Sequence, residues 1–136
     1  MDRIFLDANV LFSAAYRTGS GLRRLWALPD VTLLTSAEAA IEARRNLTTA
    51  EQCADLTTLL ASVTMVADVL EPVPIPPSTA LPPKDRPILE AAIYAQTTHL
   101  LTGDVTHFGP YYGQTIAGVL ILRPAVYLRT RHHPQS

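Results

Sequence analysis

The sequence predicts an α/β protein with a parallel central sheet. Short apolar segments that fit buried strands alternate along the chain with segments that carry helix caps or helical spacing. The 136 residues are enough for one domain with a proper core, and 48% of them are hydrophobic. Such a high apolar content is typical of a parallel sheet covered on both faces, although a buried interface with a partner chain would also raise it.

Local signals define the elements of the first half. Ser20 begins a helical stretch that Pro29 ends, and Thr35 with Glu38 fits a capping box that starts a helix. In chain order the predicted elements are a strand over 3–6, a helical stretch over 21–28, a strand over 31–34, helices running to about 47 and over 50–60, and a strand over 64–67.

The second half opens with an irregular segment. Residues 71–83 contain six prolines, which impose extended backbone, and we interpret them as an ordered connector within one domain. Asp85 fits the N-cap of a helix that has Pro87 in its first turn. The remaining predicted elements are that helix to about 96, a strand over 99–102, and a final strand over 116–122 with a short extension over 125–128. The expected organisation is one domain over 1–129 and a polar, frayed tail over 130–136.

Composition excludes several classes of protein. The formal net charge is -1, which argues against a protein that holds nucleic acid by charge alone. A single cysteine, Cys53, rules out an intrachain disulfide and a cysteine-rich zinc site. The amino terminus lacks a signal-type pattern, and the longest uncharged span, 105–122, contains His, Pro and Gly and does not fit a membrane helix. We therefore expect a cytoplasmic protein with no membrane association.

Four acidic residues stand where they can converge. Asp7 and Asp104 each follow an apolar strand, so they are expected at the carboxyl rim of the sheet, where open α/β sheets bind ligands. Glu42 and Asp85 lie near helix starts between them. Like charges at short range resist joint ionisation, so such a group favours a divalent hard cation, Mg²⁺ or Mn²⁺.

Each acid also has a structural interpretation. Asp7 can cap the turn that follows it, Glu42 can lie on a solvated helix face, and Asp85 is a good N-cap. Asp104 follows Thr102-Gly103, which places a hydroxyl beside the carboxylate and allows close approach at the glycine. Their joint arrangement, rather than any single residue, indicates function.

Four segments together resemble the motifs of PIN-domain ribonucleases. They are residues 4–10, residues 34–36 followed by Glu42, residues 84–89 and residues 100–104, and they are most similar to bacterial VapC-type toxins and their close relatives. The resemblance covers residues 4 to about 128. It implies a three-layer α/β/α fold with a mostly parallel sheet, Mg²⁺- or Mn²⁺-dependent cleavage of RNA, a homodimer, and a small antitoxin protein as partner.

The resemblance also implies roles for particular residues. Asp7 and Asp104 are expected as direct metal ligands, and Asp85 and Glu42 are expected to bind through water or to activate the attacking water. Asn9 and Thr102 are expected to support them. Two features depart from the family: Pro82-Pro83 and His107 stand where relatives often carry further acids, which leaves open whether one or two metals bind. Six residues near the pocket in sequence are candidate contacts for substrate phosphates, although a solvated charge, or a packed loop for His107, is the more common role of such residues. They are Arg17, Arg44, Arg45, Lys84, Arg86 and His107.

Other functions fit less well. A dehalogenase-type phosphatase requires an aspartate at Asn9, and a receiver domain requires a late strand-end lysine, whereas Lys84 is not at a strand end. The remaining alternatives are a non-catalytic PIN-like module that binds RNA or protein, and a housekeeping RNA-processing nuclease without an antitoxin.

Overall fold

The computed structural model describes residues 1–132, which fold around a six-stranded sheet in the order β3-β2-β1-β4-β6-β5. All neighbouring strands are parallel except β5 and β6. The strands are β1 (Asp2–Leu6), β2 (Val31–Thr35), β3 (Thr64–Met65), β4 (His99–Leu101), β5 (Thr115–Ile116) and β6 (Val119–Leu122). The predicted α/β fold with a mostly parallel sheet is confirmed.

Helices cover both faces of this sheet. Side chains alternate along β1, so that Ile4 and Leu6 belong to one apolar core and Phe5 belongs to the other. The helices are α1 (Ala8–Tyr16), α2 (Ala37–Asn46), α3 (Ala50–Leu60), α4 (Arg86–Tyr94) and α5 (Pro124–His132), with a 3-10 helix over Gly21–Ala27. The first core includes residues of α1, α2, α3 and α5, and the second includes residues of α4. Three layers result.

The strand order reverses between β1 and β4. The chain runs from β1 outwards through β2 to β3, and then crosses back to place β4 on the other side of β1. Leu6, the last residue of β1, pairs with Leu101, the last residue of β4. The carboxyl ends of the two strands therefore lie side by side at the switch point, where open α/β sheets form their ligand crevice.

The first helix was not predicted. Asp7 is its N-cap, and the apolar residues that it buries are Ala8, Val10, Leu11, Ala14 and Ala15. These positions recur with helical spacing, which is the signal that the sequence offered. The turn expected after Asp7 is thus the start of α1.

The end of the chain differs from the prediction in two places. The single strand expected over 116–122 is a hairpin, because Ala117 and Gly118 both adopt positive φ, 49° and 88°, as a tight two-residue turn requires. The extension expected over 125–128 is helical, since Pro124 begins α5 with a φ that suits a first helical residue. The helix continues to residue 132, into the tail that we expected to be frayed, and residues 133–136 lie outside the described part of the chain.

The start of α2 also needs a correction. Ser36 is its N-cap and accepts a hydrogen bond from the Ala39 amide at 3.1 Å. Thr35 ends β2 instead, and its hydroxyl donates to the Leu6 carbonyl at 2.8 Å. The capping box of Thr35 and Glu38 is therefore wrong, and the carboxylate of Glu38 has no capping role there.

The proline-rich segment has the irregular backbone that its composition predicts. Residues 66–85, which include the proline-rich connector, contain neither helix nor strand. Across residues 1–132 we find no helix with the length and apolar character needed to cross a membrane.

Candidate active site

Asp7 is fixed at the end of β1 by hydrogen bonds to both of its carboxylate oxygens. Oδ1 accepts from the Ala8 amide at 2.7 Å, and Oδ2 accepts from the Thr102 hydroxyl at 2.7 Å and from Asn9 Nδ2 at 3.3 Å. Asp7 is only 7% exposed. The carboxylate is therefore held in one orientation from its own helix and from the neighbouring strand.

Asn9 and Thr102 join the two strand ends. Asn9 Oδ1 accepts from the Gly103 amide at 2.8 Å, and the Asp104 amide donates to the Thr102 hydroxyl at 3.1 Å. A Cβ at Gly103 would lie 3.4 Å from Asn9 Oδ1, which is an ordinary van der Waals contact, so this approach does not itself require glycine. Asn9 and Thr102 therefore connect the end of β1 to the end of β4.

Asp104 organises the loop after β4. Its Oδ1 accepts from the amides of Thr106 at 3.1 Å and His107 at 3.0 Å, an arrangement typical of an aspartate turn. Its Oδ2 lies 3.1 Å from Nδ1 of the His107 ring. The loop therefore folds the imidazole back towards the strand end.

Asp85 does not do what its position at a helix start suggests. It is the N-cap residue of α4, yet its side chain makes no capping hydrogen bond. Its Oδ2 is buried and has no hydrogen-bond partner within residues 1–132, although it lies 3.0 Å from His107 Nδ1. The close polar neighbour of this oxygen is therefore the His107 ring and not a backbone amide of α4, so the N-cap explanation of Asp85 does not account for its placement.

Asp85, Asp104 and His107 together fit a metal ion. Each offers one ligand atom, and the three atoms lie within 4.8 Å of one another. Two carboxylate oxygens and one imidazole nitrogen form a donor set that suits a divalent cation. Asp7, which we expected to be a direct ligand, is not a member of this close group, and both of its oxygens already accept hydrogen bonds.

All four predicted acids line one cleft of about 160 Å³ at the switch point. A fifth carboxylate, that of Glu38, lines it as well. Sequence reasoning missed Glu38 because it assigned this residue to a capping box, although its spacing of four from Glu42 places both on one face of α2. The lining residues are Asp7, Ala8, Asn9, Glu38, Ala39, Glu42, Lys84, Asp85, Ile88 and Asp104.

The cleft carries an excess of negative charge. Five carboxylates line it, and among the described residues Lys84 is the one basic side chain that does so. Burial raises the pKa of Asp7, and the nearby carboxylates of Glu42 and Asp85 raise it further, against the lowering effect of the hydrogen bonds from Thr102 and Ala8. A bound cation would offset this charge.

The other predicted substrate-binding residues lie elsewhere. The Arg44 guanidinium donates to the Cys53 carbonyl at 3.2 Å and to the Thr57 hydroxyl at 3.0 Å, which fastens α2 to α3. Three further arginines are not part of the cleft lining within residues 1–132: Arg17, Arg45 and Arg86. His107, by contrast, is placed directly between two of the acids.

A larger groove of about 630 Å³ begins at Glu38 and runs along the segment after β3. Its charged side chains within the described chain are all acidic: Glu38, Asp68, Glu71 and Glu90. The groove therefore favours a cationic occupant and disfavours a phosphate backbone.

The sequence matches no protein-family model and no curated protein.

Proposed function

We propose that the protein is a Mg²⁺- or Mn²⁺-dependent endoribonuclease of the PIN-domain type. One observation carries this proposal: carboxylates from four distant segments share a single cleft at the switch point, and two of them, Asp85 and Asp104, converge on the His107 ring nitrogen at 3.0 and 3.1 Å. Such an arrangement is unfavourable for the isolated chain and becomes favourable when a cation binds.

Asp85, Asp104 and His107 would hold the cation, with Asp7 beside them. A phosphodiester bound at these three residues would be polarised by the cation that they hold, and a water bound there would become a better nucleophile at neutral pH. The nitrogen of His107 departs from the all-oxygen set that Mg²⁺ prefers, so this donor set favours Mn²⁺.

The chain's own side chains would position the reactants. The Glu42 carboxylate is exposed at the cleft and can orient the attacking water and accept its proton. Lys84 can contact a substrate phosphate as a point charge. Asn9 and Thr102 hold Asp7 in place. Hydrolysis by water would leave a 3′-hydroxyl and a 5′-phosphate, as the resemblance implies.

The proposed biological role is that of a toxin in a toxin-antitoxin pair, acting as a cytoplasmic homodimer. The acidic groove supports a protein partner, because its four carboxylates suit a basic peptide segment. Growth arrest on induced expression, relieved by a small protein encoded next to this one, would distinguish this role from a housekeeping nuclease.

Cleavage mapping on total RNA tests the activity. We expect cleavage that requires Mn²⁺ or Mg²⁺ and falls by about 100-fold or more in Asp7→Asn, since that substitution removes charge from the cleft and keeps the shape of the side chain. Glu51→Gln is the matched control, because Glu51 is an exposed carboxylate on α3 that does not line the cleft.

Cleavage that persists in EDTA, or that is equal in Asp7→Asn and Glu51→Gln, would contradict the proposal. RNA binding without any cleavage would favour the non-catalytic module instead.

A further inference from the structure

A second cavity adjoins the carboxylate cleft, and no step of the proposed hydrolysis uses it. It has a volume of about 390 Å³, within the range of about 300–1,000 Å³ typical of small-molecule sites. It shares Ala8, Asn9 and Glu42 with the cleft, and its other lining residues are Phe12 and Asn46. A ligand in this cavity would therefore lie next to the carboxylates.

The cavity contains an aromatic ring whose position is fixed. Phe12 is half-buried and packs against the core beneath α1. Tyr16, one turn further along the helix, stacks on it with ring centroids 5.3 Å apart and an interplanar angle of 33°. Proteins bind the unpaired bases of single-stranded RNA by stacking them on such rings.

The polar atoms that remain for a ligand include both acceptors and a donor. Asn46 Nδ2 donates one hydrogen to the Glu42 carbonyl at 3.1 Å, which leaves its second hydrogen as a donor and Oδ1 as an acceptor. Both ends of the Asn9 amide are already used, by Gly103 on one side and by Asp7 and Thr102 on the other. The Glu42 carboxylate is a further acceptor, and its charge disfavours a phosphate.

We propose that this cavity binds one unpaired nucleobase, stacked on Phe12, beside the phosphodiester that is cleaved. A ring or exocyclic N–H of any base, the N3–H of uracil included, can donate to Asn46 Oδ1 or Glu42, and a base carbonyl can accept from Asn46 Nδ2. The inference rests on the proposed function and adds to it the place where a base next to the cleaved bond is bound.

The test compares three RNA hexamers that share the same phosphates: hexacytidylate, hexauridylate and an abasic hexamer. Their dissociation constants are measured with Mn²⁺ in the Asp7→Asn background, so that the RNA stays intact. We expect hexacytidylate and hexauridylate each to bind about tenfold tighter than the abasic hexamer, because one stacked base contributes that much or more.

Substitutions at Phe12 test whether its ring causes the difference in affinity between the hexamers. Phe12→Leu keeps an apolar side chain and removes the ring, so it should weaken hexacytidylate binding about tenfold and leave the abasic hexamer unchanged. Phe12→Tyr should restore binding. Tyr94→Leu is the matched control, since Tyr94 is an exposed aromatic residue on α4 outside the cavity. Thermal unfolding of each variant verifies that it folds.

Equal binding of the three hexamers, or equal binding by Phe12→Leu and Tyr94→Leu, would overturn the inference. It would also be overturned if Phe12→Leu converted a dimer to a monomer in light scattering and left the affinity difference between the hexamers with bases and the abasic hexamer unchanged. The cavity would then be a contact between two copies. Tighter binding of hexamers that carry bases, without cleavage by the parent protein, would refute the proposed nuclease activity and leave a base-binding site. Cleavage by a protein that binds the abasic hexamer equally well would refute this inference alone.

Discussion

Carboxylates at the two ends of the sheet have different surroundings. Those at the amino end have a donor and a cation as partners, whereas those at the carboxyl end lie among other carboxylates. At the amino end, Asp2 opens β1 and accepts a hydrogen bond from the Tyr127 hydroxyl at 2.6 Å, with Arg131 3.8 Å away. His99, which opens β4, packs edge-on against the same tyrosine ring. At the carboxyl end the same two strands lead to Asp7 and Asp104, where carboxylates outnumber cations.

This difference separates groups that stabilise the fold from groups kept for a ligand. Asp2 has a donor and a cation, so its burial beside α5 costs little. Asp85 shares the His107 ring nitrogen with Asp104, at 3.0 and 3.1 Å, and Asp7 has a raised pKa because burial and neighbouring carboxylates disfavour its charge. Proteins retain side chains that lower the stability of the fold at positions where function requires them.

The largest expected effect is stabilisation by metal at the carboxyl end. At a Mn²⁺ concentration of about 100 times its dissociation constant, the free energy of unfolding should rise by about 2.7 kcal/mol. Asp104→Asn should remove most of this increase, because it deletes one ligand charge. Asp2→Asn, which removes one charge at the amino end, should keep it.

Thermal and chemical unfolding with and without Mn²⁺ provide the measurement. If Asp2→Asn and Asp104→Asn responded equally to the metal, the distinction between the two ends would fail.

The second-largest expected effect is a loss of stability on substitution at the amino end of the sheet. Burial, together with the hydrogen bond to Asp2, holds the pKa of Tyr127 well above its usual range, so the phenol remains a donor. Tyr127→Phe should lower the free energy of unfolding by about 1.5 kcal/mol, since a buried hydrogen bond to a charged acceptor is lost. Urea unfolding measures this, and RNA cleavage by the variant should equal that of the parent. A loss of cleavage with unchanged stability would reverse the roles assigned to the two ends.

The part of the site that sequence could predict is the part that strands carry. An apolar strand that ends in an acid places that acid at the rim, and this rule located Asp7 and Asp104 correctly. Asp85 was found for its position at a helix start, but only the structure showed that its side chain makes no capping bond. Glu38 was missed because the helix cap lies one residue later than its sequence pattern indicated.

Contacts between distant segments were beyond sequence reasoning. The Tyr127 hydroxyl donates a hydrogen bond to Asp2, which lies 125 residues earlier in the sequence, and no local sequence pattern predicts this contact. The ring of Phe12 was not singled out because α1 itself was not predicted. The hairpin in place of a single final strand depends on positive φ at Ala117, a conformation that an alanine seldom adopts.

A smaller effect should appear at the carboxyl end without metal. In EDTA, Asp85→Asn should raise the free energy of unfolding by about 0.5–1 kcal/mol, because it removes a partly buried charge that faces other carboxylates. With Mn²⁺ the sign should reverse, since the variant has lost a ligand. Unfolding of parent and variant in both conditions measures this crossover. A variant that is less stable in both conditions would show that Asp85 stabilises the fold directly.

The smallest effect is a pH dependence at the amino end. Burial lowers the pKa of His99 below its usual value of 6.5, with the negative charge of Asp2 acting in the opposite direction. Above the usual pKa of 6.5 the ring is neutral in both the folded and the unfolded state, so it adds no pH dependence to the free energy of unfolding. As the pH falls below 6.5, the unfolded chain takes up the proton first, and the free energy of unfolding should decline until the pH passes the folded-state pKa. The half-exposed ring keeps the effect modest. Unfolding between about pH 5 and 8 should show a decline in the parent that is reduced in His99→Gln, and parallel curves would show that His99 is not its source.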